Sequence, residues 1–296
     1  MLEIFRQRLS GGPATNRYPE VVDVPPPSFR GQPRLRPERC GGDAACARVC
    51  PAGAIEVESS DLGGWTWTLD RASCLGCGLC LEACPNEALD VEPIFELAAL
   101  ARDALRVSVQ LGLAEASSAA AASERTERLG AQLREEIART FGRSLQLRHL
   151  DVGSCNGCDW ELNALLNPVY DLQRFGIDVV ASPRHADGLL VTGPVTRHLE
   201  PALWATYDAT PEPKLVIAVG ACACDAGFLS GSYAVAGGVD RRLPVDVYIP
   251  GCPPRPEAIL HGLLLAMGKS KAQGGRHGTA GSRVVTREVQ RRRRVV

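Results

Sequence analysis

The hydrophobic pattern changes character along the chain. Beyond residue 145, short apolar runs recur at Leu145 to Val152, Ile177 to Ala181, Leu189 to Thr192, Leu215 to Val219 and Val245 to Ile249. Runs of this length, rich in Leu, Val and Ile, predict strands buried on both faces. Segments with helical spacing fall between several of them, at Trp160 to Leu166, Pro201 to Tyr207 and Pro256 to Met267. Strand and helix in alternation predict a parallel sheet with helices on its faces, an α/β flavodoxin-like domain over 145–268.

The first half of the chain is patterned differently. Residues 1–39 read as an extended N-terminal arm, with a short amphipathic helix through Leu2, Phe5 and Leu9 and a stiff Pro25-Pro26-Pro27. Over 40–92, Ala54 to Val57 and Trp65 to Leu69 predict the two short hairpins of an α+β ferredoxin-like domain. Residues 93–144 read as a helical linker. Pro93 suits a first turn, and Leu97, Leu100, Ala101, Ala104 and Leu105 follow at helical spacing. An Ala/Ser-rich spacer over 114–123 precedes a second helix through Leu129, Leu133, Ile137 and Phe141, closed by Gly142.

Charge sharpens this division. The net charge of the chain is −1. Residues 269–296 carry nine Lys/Arg against one Glu, and this basic tail, ending in Arg291 to Arg294, is expected to be disordered. Cys40 to Glu92 carries nine acidic and two basic residues. An acidic face of this kind suits a basic protein partner and repels nucleic acid. The N-terminus lacks the apolar core of a secretory signal, and no apolar run approaches the roughly 18 residues of a membrane span. The expected location is cytoplasmic, with membrane contact through partners.

Twelve cysteines in such a chain point to metal rather than disulfides. Cys74, Cys77, Cys80 and Cys84, followed by Pro85, form the Cys-x2-Cys-x2-Cys-x3-Cys-Pro run that holds 4Fe-4S clusters. A zinc ribbon offers two Cys pairs instead. Cys40, Asp43, Cys46 and Cys50, followed by Pro51, repeat the run with a carboxylate in second place. The fourth Cys of each run serves the other cluster. One site is therefore assigned to Cys74, Cys77, Cys80 and Cys50, and a second to Cys40, Asp43, Cys46 and Cys84. Asp43 is a harder ligand than a thiolate. It leaves open an Asp-bound iron, a water-bound iron or a 3Fe-4S cluster.

The other cysteines follow predicted strands. Cys155 and Cys158 follow the first, Cys222 the fourth and Cys252 the fifth. Ligands of doubly wound sheets collect at the carboxyl ends of strands, so these four define a third 4Fe-4S site. Cys224 reads as a small buried thiol. A Gly-x-Gly-x2-Gly fingerprint and a P-loop are both missing from the sequence, so neither nicotinamide nor nucleotide is expected here.

The stretch Leu150 to Cys158 resembles the small subunit of membrane-bound, energy-converting (group 4) NiFe-hydrogenases of the formate hydrogenlyase type. So do Ser182 to Asp187, Val191 to Arg197 and Val245 to Glu257. The same domain is related to the B subunit of NADH-quinone oxidoreductase. Residues 1–92 resemble the two-cluster ferredoxin component of such complexes, the I subunit of the respiratory enzyme. The Cys155-x2-Cys158 spacing and His185 favour the hydrogenase side, because the respiratory protein usually has adjacent cysteines and a Gln.

The resemblance implies an electron-transfer subunit whose three clusters lead to a reaction centre on a partner. That partner is a large subunit with NiFe or, in the alternative, with a quinone site. Membrane-arm subunits and an upstream electron donor complete the expected partners. The active site would lie on the partner, so no catalytic residue is assigned to this chain. Glu161, Arg184 and His185 are candidates for tuning or for proton relay near the third cluster. Structural roles for them, a charge at a helix N-terminus and an interface contact, stand beside that reading.

Overall fold

The computed structural model describes residues 11–60, 64–111 and 144–274. The expected helices at Leu2 to Leu9 and Leu129 to Phe141, the spacer at 114–123 and the tail from 275 onward lie outside them. The described chain forms two units in contact.

The first unit is built from β1 (Gln32–Leu35), α1 (Ala45–Val49), β2 (Ile55–Ser60), β3 (Gly64–Asp70), α2 (Leu79–Glu82), β4 (Leu89–Glu92) and β5 (Arg106–Leu111). β1 pairs antiparallel with β4, and β2, β3 and β5 form a three-stranded antiparallel sheet. Three sequence expectations are corrected here. Ala54 to Val57 and Trp65 to Leu69 are the two arms of one hairpin rather than two hairpins. Gln32–Leu35, assigned to the arm, is a strand of this unit. The helix expected through Leu97 to Leu105 is absent: a 3-10 turn at Arg102–Leu105 leads directly into β5.

Packing explains the last correction. Ala99 exchanges two backbone hydrogen bonds with Tyr248, of 2.9 and 2.8 Å, at the edge of the second unit's sheet. Phe95 is buried in that unit's core and Ala98 packs against it. Val109 and Leu111 turn inward from β5 into the first unit. Two sheet edges thus satisfy the backbone of a segment whose helix would stand alone, and isolated short helices are marginal in water.

The second unit contains β6 (Leu145–Asp151), α3 (Gly157–Ala164), β7 (Ile177–Val179), β8 (Gly188–Thr192), α4 (Glu200–Ala209), β9 (Leu215–Val219), α5 (Ala221–Asp225), β10 (Val247–Ile249) and α6 (Pro256–Gly274). The sheet is wholly parallel, in the order β10-β9-β8-β6-β7. The two-residue period of the strands divides its core. Leu190, Leu215, Ile217, Val219 and Ile249 face one apolar layer, closed by Ile259, Leu260 and Leu263 of α6. Leu189, Val191, Val216 and Ala218 face the other, closed by Leu203 and Val239. Residues buried on both sides of the sheet account for the unbroken apolar runs. Each such side chain contributes roughly 1.5–3 kcal/mol on burial. The last helix continues to Gly274, so the first six residues assigned to the tail are helical.

The units are pinned together by charge as well as by the Ala99–Tyr248 pairing. Arg102 makes two hydrogen bonds to Asp70, of 2.7 and 2.6 Å, and reaches Asp225 of the second unit at 3.4 Å. Ser73 Oγ donates to the same Asp225 at 2.5 Å. Further back, residues of the arm lie on the second unit: Asn16 N donates to Val169 O, and Arg174 donates to the carbonyls of Asn16 and Tyr18.

Candidate metal centres

Each cysteine run wraps a short helix and ends in a tight loop. The two runs behave as mirror partners. Cys50 Sγ accepts a hydrogen bond from Ala54 N and Cys84 Sγ accepts one from Ala88 N, each at 3.2 Å and each four residues on. Backbone N–H groups aimed at sulfur are what a thiolate ligand needs once it carries charge. Cys50, Cys74, Cys77 and Cys80 line one cavity of about 260 Å³, roofed by Phe29, Arg30 and Gly31. Burial pushes the Cys74 thiol up to about 11, with repulsion from Cys50 and Cys77 adding to it. Burial pushes Cys80 up to about 12, with Cys74, Cys77, Cys50 and Cys46 contributing in turn. Four cysteines assigned to one site from spacing thus share one hollow.

The second set is less symmetric. Cys46 is buried, and its thiol is raised by burial, with Cys40 and Cys84 as its charged neighbours. Asp43 is exposed, and its Oδ1 accepts a hydrogen bond from Ala45 N at 2.8 Å. One carboxylate oxygen is therefore engaged in an Asx turn at the start of α1. That local job accounts for an acid here whether or not the other oxygen meets iron.

Cys155, Cys158, Cys222 and Cys252 come together at the carboxyl end of the parallel sheet. The loop after β6 carries the first two, α5 after β9 carries Cys222, and the loop after β10 carries Cys252. Gly220 N donates to Ile249 O at 2.8 Å and Ala221 N to Gly251 O at 2.7 Å, which ties the last two loops together. Burial raises the Cys158 thiol, and Cys222, Cys252, Asp159 and Cys155 raise it further. Burial pushes Cys222 up to about 11, with Cys252 and Cys155 contributing. Cys252 is raised by burial, then by Cys155 and by Cys77 of the first unit. Gly220 has φ +89°, and a Cβ built there would fall 2.5 Å from Cys158 Sγ. The missing side chain leaves room beside that sulfur.

Among the described residues, no three His, Cys, Asp or Glu side chains close on one point tightly enough for a single metal ion. A cubane distributes its ligands around a larger body. The shared cavity, the N–H groups aimed at sulfur and the space at Gly220 fit such a group.

The other candidates fall in different places. Glu161 is half-buried in α3; burial raises its carboxyl, Glu257 raises it further and Arg255 opposes them. The first-turn acid of α3 is Asp159 instead, which accepts hydrogen bonds from Ser154 Oγ and, at 2.7 Å, from Thr192 Oγ1. Arg184 and His185 are exposed in the turn after β7, and the structure does not bring them into hydrogen-bonding contact with the third set of thiols. Cys224 is fully buried, points at Ala218 O at 3.7 Å and has its thiol raised by burial. Sequence reasoning missed His149, whose Nε2 lies 2.9 Å from Asp159 Oδ1 and 3.0 Å from Thr192 Oγ1. The available signal was Asp159 itself, next to Cys158. It also missed Trp67, buried against the first unit's cysteines.

Comparison with known proteins agrees with this geometry. Residues 155–266 match the family described as NADH ubiquinone oxidoreductase, 20 Kd subunit, and residues 38–88 match the 4Fe-4S dicluster domain. A probable membrane-bound hydrogenase subunit of Pyrococcus furiosus is 52% identical over 134 residues, which is 45% of this chain and 80% of that protein. Formate hydrogenlyase subunit 7 of Escherichia coli is 46% identical over 138 residues, 47% of this chain and 54% of that one. The NADH-quinone oxidoreductase B subunit of Geotalea uraniireducens is 48% identical over 123 residues, 42% of this chain and 72% of that one. The chain thus joins a 4Fe-4S dicluster domain to a second unit whose residues are those of the 20 Kd subunit, and it belongs to the NADH ubiquinone oxidoreductase 20 Kd subunit family.

Proposed function

We propose that this chain is the iron–sulfur electron-transfer subunit of a membrane-bound hydrogenase complex, carrying three clusters toward a large subunit that holds the reaction centre. The convergence of Cys155, Cys158, Cys222 and Cys252 at one sheet end, beside a two-cluster ferredoxin unit, carries this reading. Bound iron–sulfur clusters supply reversible one-electron storage. The chain's part is to hold them close and dry. Cys50, Cys74, Cys77 and Cys80 would hold the first, Cys40, Cys46 and Cys84 with Asp43 the second, and the loop cysteines of the second unit the third. The 260 Å³ cavity favours four thiolates around the first.

The path within the chain follows from proximity. Cys80 feels the charge of Cys46, and Cys252 feels that of Cys77. The Cys74 site is therefore the middle station, between the Cys40 site and the sheet-end site. Arg102, Asp70, Ser73 and Asp225 fix that second gap. The strand order, 2-1-3-4-5 when counted by appearance, supports a flavodoxin-like winding for the sheet. We assign residues 32–111 to the ferredoxin unit and 145–274 to the second. Among the described residues no helix is long and apolar enough to cross a membrane. Attachment would be peripheral, through membrane subunits and facing an upstream donor protein.

A quinone-reducing complex is the second reading, favoured by the identity to the B subunits of NADH-quinone oxidoreductases. The Cys155-x2-Cys158 spacing and the two hydrogenase-type relatives favour the first. Iron and sulfide analysis with EPR on anaerobically purified chain tests the common part. About twelve irons correspond to three cubanes and about eleven to a 3Fe-4S cluster at the Asp43 site. Zinc, or about four irons with one signal, would overturn the relay. Copurification then separates the branches, since a large subunit with two Cys-x2-Cys pairs can hold NiFe.

A further inference from the structure

Trp67 is 2% exposed in the middle of β3, on the face that turns toward the cysteines of the first unit. Its aromatic body explains the burial, but its polar atom is not accounted for by the sheet. Indole N–H groups usually find an acceptor when buried, because an unmet donor costs about 1–3 kcal/mol. Trp67 Nε1 is wholly buried and meets no hydrogen-bond partner among the described residues. Trp67 shares the first unit's core with Cys46, and its N–H favours the charged form of that thiol against burial. A neutral thiol is a poor acceptor and a charged cluster ligand a good one. A buried donor without a partner in this core thus suits the liganded state of Cys46.

The arrangement is one-sided. Cys80, which occupies in the second run the place of Cys46 in the first, is set among other thiols. The site that lacks a fourth cysteine is the one with a buried, unpartnered indole N–H in its core.

We infer that Trp67 is a positioning and tuning residue for the Cys40/Cys46/Cys84 site, its indole N–H donating to the Cys46 sulfur and raising that cluster's reduction potential above that of the same site without the donor. The sign follows from electrostatics. Reduction adds negative charge that spreads onto the ligand sulfurs, and an N–H dipole stabilises the reduced form more than the oxidised one. This rests on the cluster assignment proposed above.

The test is a potentiometric titration followed by EPR on the full, anaerobically purified chain. Cys46→Ser identifies the signal of this site by removing it. Trp67→Phe keeps the ring and deletes the donor. The expected result is a midpoint moved to more negative potential for that signal alone, with the other two unmoved. An unmoved midpoint in Trp67→Phe overturns the inference, and so does an equal shift of all three signals. If Trp67→Phe fails to load clusters, chain carrying 15N-indole tryptophan and the Trp65→Phe change answers the same question by pulsed EPR. A 15N coupling on the site's signal supports the inference and its absence overturns it. A wild-type chain with no signal sensitive to Cys46→Ser instead overturns the second-site assignment itself.

Discussion

The space at Gly220 offers the sharpest test of the third centre. Its φ of +89° is a conformation that costs a residue with a Cβ about 1–2 kcal/mol. A Cβ there would also sit 2.5 Å from Cys158 Sγ, closer than real contacts allow. Neither party has an easy retreat. Cys158 is held at the start of α3, and Gly220 is fixed by its bond to Ile249 O. Overpacking of this kind costs about 1–3 kcal/mol. Gly220→Ala should therefore cost about 2–5 kcal/mol in all, but the share due to the clash falls on the sulfur. Converted to binding, about 1–3 kcal/mol weakens cluster retention at this site roughly fivefold to 150-fold.

Gly231→Ala isolates the other share. Gly231 has φ +83° with open space around it, so only backbone strain is introduced. The assay is EPR with iron analysis on both variants beside wild type. Gly220→Ala should lose the sheet-end signal and roughly four irons while keeping the ferredoxin-unit signals, and Gly231→Ala should keep all of them. Retention of the sheet-end signal at full intensity in Gly220→Ala would refute the argument that this space serves the third cluster. Equal loss in both variants would assign the effect to strain alone.

Arg102→Gln removes the bidentate pair to Asp70 and the contact to Asp225, and should lower stability by about 2 kcal/mol, read as a fall of roughly 4–8 °C in Tm. Asp43→Cys should alter the g-values and potential of the signal that Cys46→Ser removes and leave the others unchanged, because only that site gains a thiolate. Cys74, Cys80 and Cys222 are raised by burial, so loading must expel protons from them. Reconstitution followed by absorbance should therefore strengthen as pH rises from about 6.5 to 8.5, and a flat profile would contradict this. Cys252→Ser should abolish turnover of the assembled complex while the ferredoxin-unit signals persist.

What the sequence made legible was chemistry with a fixed spacing. A run such as Cys74, Cys77, Cys80 and Cys84 can be read because its first three sulfurs are brought together locally, while the exchange of the fourth, Cys84 for Cys50, follows from the pairing of the two runs. The strands at 188–192, 215–219 and 247–249 are equally plain, since they are buried on both faces and almost wholly apolar. Gathering Cys155, Cys158, Cys222 and Cys252 needs only the further knowledge that loops at one sheet end converge. Residues 95–111 mislead because their pattern answers to partners far away in sequence. Phe95 and Ala99 are apolar for the edge at Tyr248, and Val109 and Leu111 for β3; nothing within the segment distinguishes these from one face of a helix.

The same reasoning explains why Trp67, His149 and Arg102 are hard to see in the sequence. Each acts through polar atoms whose surroundings are set by tertiary packing, at sequence separations of 21 to Cys46, 10 to Asp159 and 123 to Asp225. Ligands announce themselves by periodicity, but the groups that tune and space them do not. In a relay, rate depends on gaps and potentials rather than on the bare presence of clusters, so those unannounced residues matter as much as the ligands. Arg102 shows how: it lies in the first unit just before β5, outside both matched regions, yet it closes on Asp225, three residues past Cys222. The contact between the two units is thus held by a cation of the first, placed between Asp70 of its own unit and Asp225 of the other.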